Sequence, residues 1–156
     1  MKTRDKILYV MYKLIAKHGY EKTAISMICD ELGIKKPSIY YHFKSKEDIF
    51  LKMVEEVVFK EVNFHFKKDI DAQSYKKTLI EIGNYIISKY ENDQVLMEVI
   101  MELYVQSKRI ESIANKIKDY DEEYKKYVES IVQYGVDIGV FPNVFDVSHN
   151  AEVLIN

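Results

Sequence analysis

Apolar residues recur at helical spacing almost from the start of the chain. Ile7, Leu8, Met11, Leu14 and Ile15 share one face, which predicts an amphipathic helix over about 4–18. Thr3 is placed to cap it, Asp5 suits the positive end of its dipole, and Gly19 offers a left-handed stop. A second helix is predicted after Thr23, again a capping residue, and runs to Leu32 with Ile25, Ile28 and Leu32 on its apolar side. Gly33 permits a tight turn, and Ile34 fills the space before a short third helix over 36–43. Pro37 is tolerated in its first turn, where a missing N–H costs little. Ser45-Lys46-Glu47-Asp48 then has the form of a capping box with Asp in place of Glu or Gln. It opens a long helix that the pattern carries to Phe66.

The remainder reads as a second helical layer, with helices over 74–90, 93–107 and 110–138. Ile113, Ile117, Tyr120, Tyr124, Tyr127, Ile131 and Tyr134 lie near one face of the last of these. A loop follows at 139–143, and Asp146 is placed to cap a final helix starting near Val147. Two prolines and five glycines in 156 residues leave few breaks, so the expected class is all-α.

Charge divides the chain. Residues 1–50 carry a net +4 and residues 51–156 a net −6, against a total of −2. A basic head on an acidic body suits a nucleic-acid reader with a separate sensing domain; segregation of solvated charge by chance is the plainer alternative. Cys29 is the single cysteine, so no intrachain disulfide can form, which fits a reducing, cytoplasmic setting. No run of about 18 apolar residues exists, so no membrane-spanning helix is expected. Asp5 and Lys13 argue against a signal peptide around 7–15. No metal-ligand spacing, glycine-rich phosphate loop or nucleophile elbow occurs, and neither cofactor nor metal is expected. Glu98 and Glu102, four apart, read as one solvated helix face.

Two helices joined by a turn with Gly33 are the bare helix-turn-helix pattern. More specific are the residues themselves: Gly19-Tyr20-Glu21-Lys22-Thr23, Ile28, Leu32-Gly33-Ile34, Ser38-Ile39-Tyr40-Tyr41-His42-Phe43, and Ser45-Lys46-Glu47-Asp48-Ile49-Phe50. In this order and spacing they resemble the DNA-binding head of the tetracycline-repressor (TetR) family, over roughly residues 3–55. The resemblance implies a three-helix head (1–50) joined by a long helix to a helical ligand-sensing and dimerising body (51–156). In the family the last two helices form the main dimer interface. The chain ends inside the first of them, so the sequence is expected to lack its C-terminal end.

The first turn of a recognition helix enters the major groove, so its side chains meet base edges. Lys36 can donate to guanine acceptors, Ser38 can donate or accept, and Pro37 and the Tyr41 ring can touch thymine methyls. Tyr40 and His42 carry donors suited to phosphate. The resemblance assigns the same roles: Lys36, Pro37, Ser38 and Tyr41 to bases, Tyr40, His42, Lys46 and Thr23 to phosphates. In isolation Tyr40 and Tyr41 would be surface aromatics and His42 a core histidine. Ile39 and Phe43, four apart, read as packing. Two departures from the family stand out. Lys35 replaces the usual serine cap of the third helix, at a cost of ~1 kcal/mol, and its cation adds affinity for phosphate. Met11 and Ile15 stand where alanine and phenylalanine are usual.

Eight of the thirteen tyrosines lie in the body. Tyr85, Met97, Met101, Tyr104, Tyr124 and Tyr127 are the candidates for an apolar effector pocket with a few orienting hydroxyls; plain core is the competing reading. The expected protein is a ligand-responsive repressor that binds a palindromic operator on double-stranded DNA as a homodimer, its small-molecule effector largely apolar. The alternatives are an activator or ligand-independent regulator with the same head, or a helical enzyme or binding module with no DNA role.

Overall fold

The structure is a computed structural model that describes residues 1–62 and 66–142. The last residue of the expected loop, Asn143, and the expected final helix lie outside the described residues. Among the described residues eight α-helices follow in order: α1 (Thr3–Lys22), α2 (Ile25–Leu32), α3 (Lys36–Tyr40), α4 (Lys46–Met53), α5 (Phe59–Val62), α6 (Ala72–Asn92), α7 (Gln94–Ser107) and α8 (Glu111–Asp137). A π-helical stretch, Val54–Val58, joins α4 to α5. No strand occurs among the described residues, and the chain is all-α.

Gly33 and Ser45 end and open helices as the sequence suggested, Gly19 breaks α1 without ending it, and Asp93, expected only as a helix start, proves to be a cap. Gly19 sits at φ 74, ψ 167 and interrupts the helical path of α1. That is a conformation an L side chain adopts only with strain. Gly33 closes α2 in the left-handed region. Ser45 caps α4 by accepting the Asp48 N–H at 3.0 Å. The return arm of the box lands one residue early, on the Lys44 N–H at 2.8 Å. Asp93 caps α7 through the Leu96 N–H at 3.0 Å.

Other expectations are corrected. Lys2, not Thr3, occupies the cap position of α1 and makes no side-chain bond there. Thr23 closes α1 and does not cap α2: its hydroxyl donates to the Gly19 carbonyl at 2.8 Å, an acceptor freed by the break at Gly19. Ala24 precedes α2 instead, its N–H meeting the Met27 sulfur at 3.4 Å. Regular helix in α3 stops at Tyr40, although helical hydrogen bonds continue to Tyr41 and Phe43. The helix expected to run unbroken from Ser45 widens at Val54–Val58, where Val54 and Val58 both face the core.

By packing, the described chain forms two units. The first contains residues 1–62 and 88–114 and so holds the whole head, the end of α6, α7 and the start of α8. Its core joins Ile7, Met11 and Ile15 of α1, Ile28 of α2, Ile39 of α3, Ile49, Phe50 and Met53 of α4, and Leu96, Val99 and Leu103 of α7. Each such side chain contributes about 1.5–3 kcal/mol by leaving water. The ion pair of Arg4 with Glu56, bidentate at 2.6 Å on both arms, ties the start of α1 to the π stretch. The hydrogen-bonded Arg4 guanidinium holds the Glu56 carboxyl below the usual carboxylate range.

Of the described residues, the second unit contains 66–87 and 115–142. Val128, Ile131, Val132 and the fully buried Tyr75 form its core, with Tyr124 and Phe141 packed against Val128 and Val132. Tyrosine hydroxyls hold the chain before α6. Tyr127 accepts the Phe66 N–H at 2.6 Å, and Tyr134 accepts the N–H groups of Asp69 and Ile70 at 3.0 and 2.9 Å.

Candidate nucleic-acid interface

The head owes its surface to the alternation along 35–43. Ile39 and Phe43 are buried and anchor α3 from one side. The Arg4 guanidinium lies 5.4 Å from the centroid of the Phe43 ring, which adds a cation–π contact beneath the anchor. Everything opposite is exposed: Lys35, Lys36, Pro37, Ser38, Tyr40 and Tyr41. Tyr41 is the extreme case, 85% exposed. An apolar ring so far in water stands out on an otherwise well-buried head. His42 is half-buried, with its ring edge-on to Tyr41 at 4.9 Å.

Lys35 and Lys36 flank the N-terminus of α3, and among the described residues neither has an acidic partner within ion-pair distance. Lys46 is differently placed. Its ammonium donates to the Tyr20 carbonyl at 2.8 Å and lies 4.1 Å from the Tyr20 ring centroid. One of three ammonium protons is thereby committed, and two remain for other acceptors. The Tyr20 ring in turn packs on Phe50 at 4.9 Å, and burial pushes its hydroxyl pKa up, with Glu47 and Glu21 adding to it.

Thr23 does not join the exposed set. It is 1% exposed and its hydroxyl proton is directed to Gly19. The remaining expected DNA contacts, Lys35 to Ser38, Tyr40 to His42 and Lys46, all lie within the first unit. The six effector candidates are divided. Met97, Met101 and Tyr104 belong to the first unit, and Tyr85, Tyr124 and Tyr127 to the second. Met101, Tyr104 and Tyr85 are exposed, and Met97, Tyr124 and Tyr127 half-buried.

Sequence reasoning missed three long-range bonds around this surface. Glu102, read as part of a solvated face, accepts the Tyr20 N–H at 2.8 Å. Ser112, at the start of α8, donates to the Glu47 carboxylate in the first turn of α4. Arg4 pairs with Glu56 as described above. These partners lie 52 to 82 positions apart, and no local pattern announces them.

Residues 7–53 match the family described as "Bacterial regulatory proteins, tetR family". The HTH-type transcriptional regulator QacR of Staphylococcus aureus is 29% identical over 126 residues, which are 80% of this chain and 65% of the relative. The biofilm operon icaADBC HTH-type negative transcriptional regulator IcaR of Staphylococcus epidermidis is 29% identical over 121 residues, 77% of this chain and 62% of the relative. The chain thus spans a little under two thirds of the length of these two relatives. A TetR transcription regulator from Haloarcula marismortui shares the fold with a TM-score of 0.80 at 20% identity, over 97% of this chain and 79% of that one.

Proposed function

We propose that this chain, whose N-terminal third is a DNA-binding head of the tetR family of bacterial regulatory proteins, is a transcriptional repressor that binds a palindromic operator as a homodimer. The observation that carries the reading is the outward edge of 35–41. Two unpartnered lysines, a proline, a serine and an almost fully exposed tyrosine stand on a short helix whose opposite side is sunk in the core. Such an edge suits the major groove, where Lys36 donates to guanine acceptors, Ser38 bonds either way, and Pro37 and Tyr41 contact thymine methyls. Lys35, Tyr40, His42 and the two remaining ammonium protons of Lys46 act on phosphates. At Thr23 the phosphate contact falls to the first-turn N–H groups of α2 rather than to the buried hydroxyl.

Repression is the direction favoured by the negative regulator among the relatives. An effector of largely apolar character is favoured by the large apolar side chains exposed on α7, Met101 and Tyr104 among them. Such an effector acts only if it binds the DNA-incompetent state better, by the amount it shifts the equilibrium. It must then weaken DNA binding as much as DNA weakens it.

A mobility-shift titration on genomic fragments, repeated over a range of salt, tests the central claim. Selective retention of a few fragments, with log affinity falling linearly against log salt, is the expected result. Absence of binding to any fragment at low salt would overturn it.

A further inference from the structure

The backbone of Tyr20 is held from two sides. Gly19, at φ 74, turns the chain out of the α1 ladder, and the Tyr20 N–H goes to Glu102 of α7 at 2.8 Å. The Tyr20 carbonyl accepts Lys46 of α4 at 2.8 Å. Glu102 is itself held: the same oxygen, Oε1, accepts Gln106 Nε2 at 2.9 Å. Gln106 is 1% exposed, and its own Oε1 has no protein partner. Leaving a buried acceptor unsatisfied costs free energy. The Gln106 amide is therefore turned toward Glu102 by that carboxylate's demand for a donor. A side chain at Gly19 would be strained by the positive φ, and its Cβ would meet Glu102 Oε2 in ordinary contact at 3.4 Å.

We infer that Glu102 is a positioning residue for DNA binding: by fixing Tyr20 it fixes the acceptor on which the phosphate-directed Lys46 ammonium is aligned. The inference rests on the DNA-binding reading given above. Both bonds involve a charged side chain, which makes each stronger than a neutral hydrogen bond. Without Glu102 the Tyr20 N–H loses its partner, the turn after Gly19 loosens, and Lys46 loses its fixed seat. α7 thereby acts on the DNA surface through Tyr20, without touching DNA.

The test compares Glu102→Ala, Glu102→Gln and Gln106→Met with the unsubstituted protein on one retained fragment, in salt titrations corrected for the folded fraction by circular dichroism. Glu102→Ala should weaken binding about tenfold and reduce the salt slope by about one unit, the signature of one lost phosphate contact. Glu102→Gln keeps an acceptor for the Tyr20 N–H and should restore both. Gln106→Met removes only the backing donor at similar volume and should shift both in the same direction by less. It also carries the test should Glu102→Ala fail to fold. In a Lys46→Met background, Glu102→Ala should add little further loss. A lowered melting temperature with affinity and slope unchanged in Glu102→Ala, or an equal additional loss in the Lys46→Met background, would overturn the inference and leave DNA binding standing. Absence of DNA binding by the unsubstituted protein would instead overturn the functional reading, and this inference with it.

Discussion

Replacing Gly135 by Ala pits a helix's preference for alanine against the space available in the second unit. Alanine is favoured over glycine in a helix interior by up to ~1 kcal/mol, and Gly135 lies within α8. A Cβ at this position, however, would stand 2.5 Å from the Tyr75 hydroxyl and 2.7 Å from the Phe141 ring. Ordinary contact begins near 3.5 Å, so both groups must retreat by close to an ångström. Tyr75 is not free to do so. Tyr75 is fully buried, donates to the Ile131 carbonyl at 3.0 Å, and is boxed by Phe66, Tyr134 and Phe141 with ring centroids 5.4 to 6.1 Å away. Overpacking costs about 1–3 kcal/mol, and breaking the buried Tyr75 hydrogen bond adds ~1 kcal/mol. Packing therefore outweighs propensity, and Gly135→Ala should destabilise by about 2 kcal/mol net, or roughly 4–8 °C in melting temperature. Urea denaturation followed by circular dichroism measures it. In a Tyr75→Phe background the penalty should shrink, because the closest clash is with the hydroxyl. A Gly135→Ala protein as stable as the parent or more so would refute the reasoning and return the site to helix propensity alone.

Ser45→Ala removes the acceptor of the Asp48 N–H and should cost ~1 kcal/mol in denaturation midpoint experiments; a loss under a few tenths would mean that Asp48 and Lys44 hold the turn without it. Arg4→Met should remove a half-exposed pair contributing ~1 kcal/mol. Because Glu56 titrates below an unfolded carboxylate, that contribution is full above the unfolded value and is lost as pH falls through the folded one. Parent and variant should therefore converge in stability under acid; a gap that persists below the carboxylate range would contradict the assignment. Lys36→Ala and Tyr41→Ala should each relax discrimination at particular operator positions by about 1–3 kcal/mol. Equal weakening on specific and random DNA would make these side chains phosphate anchors instead.

Local chemistry settled much of this protein before any folding. Ile39 and Phe43, four apart on either side of exposed Tyr40 and Tyr41, determine which side of α3 faces inward. Gly19, Gly33, Ser45 and Asp93 mark helix breaks and ends because a positive φ or a capping oxygen acts on neighbours within four residues. The exposed edge that meets DNA in the proposed function follows from these rules, and so it could be read directly from the residues. What only the tertiary structure decided lies between distant segments. Thr23 looks like a cap for α2, yet the carbonyl exposed by the break at Gly19 competes for its hydroxyl and wins. Glu102 sits in a pattern typical of a solvated helix face; it turns inward because α7 packs on α1 beside an N–H that the same break set free. Gly135 looks like an ordinary weak point in a helix, and it is required there by a tyrosine sixty positions earlier in the chain. In each case one group had several possible partners, and the choice among them depends on which surfaces the hydrophobic core brings together.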